Sequence, residues 1–141
     1  MEYKRLLKTF LSCLMVLVCC GIFASASNLR ISSRIGIATA SLSKDRYGDL
    51  DIVYYIKANG VMDKIGATSV RIERYSGSAW VREKTFTEDD FSDLLVDNRS
   101  LHDAEVTYSP RYPDDSYRAI VCFYAKDSEG SSTKNVTTNI V

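Results

Sequence analysis

Histidine is almost missing from this sequence, and beyond residue 26 so is cysteine. His102 is the single histidine; of the four cysteines, Cys13, Cys19 and Cys20 fall in the opening segment and only Cys122 lies past it. One imidazole and one thiol are too few for a zinc centre, which draws its ligands mainly from those two groups. A lone thiol builds no intramolecular disulfide framework, so the fold is expected to rest on its core. Glycine-rich phosphate loops are also lacking, since Gly60, Gly66 and Gly77 fit neither a GxGxxG nor a Walker pattern. The lysines and arginines are scattered singly between acidic residues, so no basic patch and no nucleic-acid partner are expected. No cofactor is implied.

What is present at the start reads as an export signal. Lys4, Arg5 and Lys8 make a positive n-region, residues 10–23 an apolar run, and Ala24, Ser25 and Ala26 an A-x-A cleavage site. The run is shorter than the roughly 20 apolar residues that cross a bilayer. A cleavable signal peptide is expected over 1–26, leaving one secreted domain over 27–141 with no membrane association after cleavage. Processing removes Lys4, Arg5, Lys8 and Glu2, so 18 basic and 18 acidic residues become 15 and 17 and the formal charge falls from zero to −2.

The rest of the chain alternates apolar and polar residues in short stretches divided by turn residues, the pattern of strands with one buried face. Over 49–58, Leu50, Ile52, Tyr54, Ile56 and Ala58 share a face and Asp51 and Lys57 the other. Over 68–75, Val70 and Ile72 point inward and Arg71, Glu73 and Tyr75 outward; Ser76, Gly77 and Ser78 then turn into a strand over 80–86, a hairpin. Over 116–125, Tyr117, Ala119, Val121, Phe123 and Ala125 align, between turns at 113–115 and 126–131. Further strands are expected over 29–42, 104–109 and 133–140. Residues 61–65 suggest a helical turn, and 87–96 either a short helix capped by Thr87 and Asp90 or an irregular crossover. The expectation is an all-β, two-sheet sandwich of about seven strands.

Residues 114–131, from Asp114 through Tyr117, Cys122 and Tyr124 to Ser131, resemble the sixth strand and following turn of immunoglobulin-like and fibronectin type III domains. The resemblance implies that Tyr117 forms a tyrosine corner, its hydroxyl bonding back to upstream backbone. The chain also resembles a family of small exported proteins of unknown function from Gram-positive bacteria. That likeness rests on the leader, on residues 62–67, on Trp80, on Tyr117, Arg118 and Ala119, on Phe123, Tyr124 and Ala125, and on the closing residues 137–141. It implies an immunoglobulin-like sandwich and a secreted location, and brings no catalytic residues.

Candidate sites are few. His102 would have to serve as base in any nucleophilic scheme, but it sits in a polar stretch expected to be surface loop. Cys122 lies mid-strand between Val121 and Phe123, where it is expected to act as a small buried hydrophobe. Glu88, Asp89, Asp90, Asp93 and Asp97 cluster carboxylates that suit a hard cation, but without the spacing or central glycine of an EF-hand; a solvated acidic segment explains them better. Asp114 and Asp115 are explained by a turn. Tyr55, Tyr75, Ile120 and Tyr124 fall on the outward faces of their strands and would form an exposed patch for a protein or glycan if those strands are neighbours. Trp80 is expected between the sheets as a structural core residue, as is Tyr117.

Three functional readings follow. The first is a secreted, non-enzymatic module that binds an extracellular protein or glycan. The second is a small secreted hydrolase working through Asp89, Asp90 and Asp93, with or without a metal. The third is a self-assembling structural subunit pairing through an edge strand near Val141.

Overall fold

The computed structural model describes residues 33–141; the expected signal peptide and the start of the first expected strand lie outside the described residues. Six strands follow in order: β1 (Ile35–Lys44), β2 (Leu50–Tyr75), β3 (Trp80–Phe86), β4 (Leu95–Tyr108), β5 (Tyr117–Asp127) and β6 (Gly130–Thr137). Every pairing is antiparallel, all six strands are hydrogen-bonded into one sheet, and no helix occurs among the described residues.

The 26-residue β2 organises the molecule. Its first part, residues 50–58, lies between β1 and β4; residues 64–66 lie between β4 and β5; residues 70–75 lie between β3 and β5. Changing partners along one strand requires irregularities, and the register shifts between Lys57 and Met62, between Ala67 and Ser69, and between Ile72 and Glu73. Such bulges bend a strand and increase its twist. Just beyond the first of them, between the partners of Met62 and Lys64, β4 carries Asn98 at φ 54°, a left-handed conformation that asparagine tolerates better than most residues. Side chains close the gap between β6 and β1. Asn139 donates its amide to the Leu42 carbonyl at 2.8 Å and accepts from the Leu42 N–H at 3.0 Å, and Ser132 Oγ accepts from Arg34 N.

Alternation explains the core. Leu50, Ile52, Tyr54, Ile56 and Ala58 of β2 are buried, as are Tyr117, Ala119, Val121, Phe123 and Ala125 of β5; they join Val70, Ile72, Phe86 and Val106 in one apolar cluster. Tyr54 sets its ring edge-on to Phe123 at 5.7 Å and donates its hydroxyl to the Leu94 carbonyl at 3.1 Å. Burial, with Asp93 adding to it, pushes the Tyr54 phenol far above its ordinary value. Tyr117 is fully buried and donates its hydroxyl to the Tyr112 carbonyl at 2.8 Å, the upstream backbone bond expected of a tyrosine corner.

Three expectations need correction, and one alternative is decided. Residues 61–65 are strand, not helical turn. Met62 and Ile65 are both buried three residues apart, a helix-like spacing in the stretch where β2 passes from pairing with β4 to pairing with β5. Residues 87–94 take the second of the two forms expected of 87–96, an irregular crossover; Asp90 accepts the Thr87 N–H at 3.0 Å, but no helix propagates and residues from Leu95 on join β4. The strand expected over 104–109 begins at Leu95 as the 14-residue β4, and the strands expected over 49–58 and 68–75 are one continuous β2, so the count is six. Glu73 is buried at 8% exposure instead of facing solvent, because Arg71 and Arg118, its neighbours on the outward face, close over it.

Candidate binding face

The outward side chains of β3, residues 69–75 of β2, β5 and β6 form one sheet face, fixed by register. Tyr75 lies opposite Trp80, Glu73 opposite both Arg82 and Arg118, and Arg71 opposite Ile120, with Cys122 and Tyr124 continuing along β5. Thr137, Asn135 and Thr133 of β6 border Ile120, Cys122 and Tyr124.

Glu73 is the hub. Its Oε2 accepts from Arg118 Nε at 2.9 Å and Nη2 at 2.8 Å, while its Oε1 pairs with Arg71 Nε at 3.0 Å. Two guanidiniums converging on one largely desolvated carboxylate restrict each other's rotamers; Arg118 supplies a charge-assisted hydrogen bond, the strong kind, while Arg71 adds an ion pair without hydrogen-bond geometry. Arg118 also lies 4.3 Å from the Trp80 ring centroid, and Trp80 packs against Tyr75 at 5.4 Å. A stacked arginine contributes about 0.5–2 kcal/mol, depending on desolvation. The result is a pre-ordered row running Tyr75, Trp80, Arg118, Glu73, Arg71, with Ile120 and Tyr124 beyond it. Such a row offers aromatic and guanidinium planes for stacking, and N–H donors for carboxylates or hydroxyls.

The expected patch is thus partly assembled. Tyr75, Ile120 and Tyr124 share this face, whereas Tyr55 lies on the outward face of the other half of β2, between Thr39 and Asp103. Trp80 is half-buried and outside the core cluster, in contrast to the inter-sheet position expected of it. β3 hydrogen-bonds only to β2, and its register turns Trp80 onto the outward face, where Arg118 covers it. Cys122 is half-buried on the same outward face, because even-numbered residues of β5 point away from the core.

His102 is in β4, not in a loop. It sits half-buried opposite Ile56, edge-on to Tyr54 at 5.9 Å, and its Nε2 donates to the Asp93 carbonyl at 2.6 Å. It anchors the crossover rather than facing a nucleophile. The carboxylates of 88–97 separate. Glu88 pairs with Lys64 at 3.6 Å, Asp90 with Lys84 at 3.5 Å, and the Thr87 backbone N–H, ahead of Lys84, holds the Asp90 carboxyl below its ordinary range. No group of three or more metal-ligating side chains gathers among the described residues. Asp115 is committed to Arg74 at 2.7 Å.

Sequence reasoning missed the convergence of basic groups. Arg71, Arg82, Arg118 and Lys126 look scattered along the chain, but the antiparallel registers place all four on one face. The signal that could have found them is strand parity, because each is an outward position of its own strand.

Fold and face together define an all-β protein with a basic, aromatic sheet surface. Compared with known proteins, the chain matches no family model, no curated protein and no solved structure.

Proposed function

We propose that the chain is a secreted, non-enzymatic binding module of the immunoglobulin-like sandwich kind, which meets an extracellular protein or glycan through Tyr75, Trp80, Arg118, Ile120 and Tyr124. The Trp80–Arg118–Glu73–Arg71 row carries this reading, since side chains already locked by one another lose little entropy when a partner arrives. The tyrosine-corner bond from Tyr117 to Tyr112, and a β2 whose two halves pair with different strands, support the sandwich architecture. The apolar run and A-x-A site of residues 1–26 support export.

The hydrolase reading through Asp89, Asp90 and Asp93 draws less support, because Asp90 is paired with Lys84 and no group of three or more metal-ligating side chains gathers among the described residues. Assembly through the chain end near Val141 is also disfavoured. The Val141 N–H and carbonyl are both bonded to Tyr117, at 3.0 and 2.8 Å.

The test is binding of the labelled chain to isolated cell-envelope and extracellular-matrix glycans and proteins, for wild type, Trp80→Ala and Tyr75→Ala. Loss of binding in both variants with an unchanged circular dichroism spectrum is the expected result. Retained binding in Trp80→Ala, or turnover of a substrate by the wild type, would overturn the reading.

A further inference from the structure

A second outward face complements the first. On β1, residues 50–58 of β2, and β4, register places Ile37, Lys57 and Leu101 in one row, Thr39, Tyr55 and Asp103 in the next, then Ser41, Val53 and Glu105, then Ser43, Asp51 and Thr107. Ile37, Val53 and Leu101 are 49%, 44% and 47% exposed, with Tyr55 half-buried among them. Large apolar side chains gathered on one sheet face call for a cover. Three carboxylates, Asp51, Asp103 and Glu105, stand among them against the single Lys57.

The basic face has the opposite constitution: Arg71, Arg82, Arg118 and Lys126 against the single Glu73, around Tyr75, Trp80, Ile120 and Tyr124. Among the described residues, Asp103, Glu105, Arg82 and Lys126 form no ion pair, so the charges of both faces remain free to meet an outside partner. We propose that the acidic apolar face of one copy docks on the basic aromatic face of a second copy, head to tail. This rests on the reading of the basic face as a binding surface, and names its partner. Like faces repel, which disfavours a two-fold dimer through either one. A contact between two different patches leaves one of each open and continues into a ring or filament. Charge complementarity sets register and on-rate, and the apolar centres supply the buried area.

Sedimentation velocity of the purified chain over a wide concentration range tests this. Species larger than the monomer are expected to grow with concentration, and association to weaken by about tenfold or more between low salt and about 0.5 M salt, where screening shortens the reach of charge to a few ångströms. Two variants sharpen the test, each changing only exposed side chains: Asp103→Lys with Glu105→Lys on the acidic face, and Arg82→Glu with Lys126→Glu on the basic face. Each is expected to be monomeric alone, and a mixture of the two to associate, because the unaltered basic face of the first meets the unaltered acidic face of the second. A wild type that stays monomeric at low salt and high concentration would overturn self-docking, as would variants that associate as the wild type does. If that monomeric wild type still binds an extracellular glycan or protein and loses it in Trp80→Ala, the binding reading stands without self-docking; if it binds nothing, both fall.

Discussion

Arg118 lies with its guanidinium 4.3 Å from the centre of the Trp80 ring while two of its nitrogens reach the same oxygen of Glu73. One side chain therefore couples an aromatic surface to a half-hidden ion network, across three neighbouring strands. Neither contact alone would hold a long arginine still; together they fix its plane and leave the outer edge of Trp80 and Tyr75 for a partner.

Glu73→Gln should separate the ionic from the packing contribution. The amide keeps the shape but leaves Arg71 and Arg118 as neighbouring cations without a counter-charge. A loss of about 1–3 kcal/mol in urea unfolding is expected, the range for breaking a partly buried charged hydrogen bond. Trp80→Ala, by contrast, should cost little stability for a tryptophan, because the ring lies outside the core cluster, and should act mainly on binding. If Trp80→Ala proves the more destabilising of the two, the face is structural rather than functional.

Gly66→Ala tests the centre of the sheet. Gly66 has φ +147° and lies where β4 and β5 both pair with β2; a Cβ there would overlap the Leu94 carbonyl, which also accepts the Tyr54 hydroxyl and the Ala67 N–H. Backbone cannot yield as a side-chain tip can. A destabilisation above about 3 kcal/mol is expected, beyond the usual range for a single substitution. The loss of the 87–94 crossover should register as faster amide exchange at Ala67.

The parts of this architecture legible in the sequence are those where alternation runs uninterrupted. Leu50 to Ala58 and Tyr117 to Ala125 follow a period of two, and their inward residues are the buried ones. Alternation fails as a guide where β2 changes partners and where outward side chains cover one another. Met62 and Ile65 mimic helical spacing where β2 passes from β4 to β5, and Glu73, though outward, is covered by Arg71 and Arg118. Trp80 misled for a different reason: a large apolar side chain suggests core, yet a guanidinium can cover it instead. The two charged faces were hidden because charge runs along a chain say nothing about neighbours across strands. Arg82 and Arg118 flank Glu73 only through antiparallel pairing, and Tyr55 and Tyr75, both outward on β2, fall on different faces because β2 has exchanged its partners between them.

Tyr117 makes the alkaline limit of stability measurable. Burial, chiefly, with Glu83 adding to it, pushes its phenol up to about 12. An unfolded tyrosine ionises near pH 10, so between about pH 10 and pH 12 the unfolded chain releases a proton that the folded chain keeps. Stability present below pH 10 is lost as pH rises through that window. Tyr117→Phe should cost about 0.5–1.5 kcal/mol at neutral pH, through the lost bond to Tyr112, and should show a shallower decline above pH 10. An unchanged alkaline slope would place the ionisation on Tyr54 or Tyr108, whose phenols burial also raises.

Asp127 governs the acid side by the opposite sign. Its carboxyl is held below the ordinary range first by the hydrogen bond from Arg34, at 2.8 Å, and then by the Glu129 and Gly130 N–H groups of the β5–β6 turn. A folded value below the unfolded one means that stability is present above about pH 4 and is lost as pH falls through the folded value. Asp127→Asn separates the two sources, because the amide oxygen can still accept both turn N–H groups while the charge facing Arg34 is gone. The variant should be less stable than wild type at pH 7, and the gap should close as the pH is lowered below about 4, where the wild-type carboxylate takes up its proton. A gap that is independent of pH would assign the whole effect to turn geometry. In that case the bond from Arg34 does no more than orient the start of β1 against the β5–β6 turn.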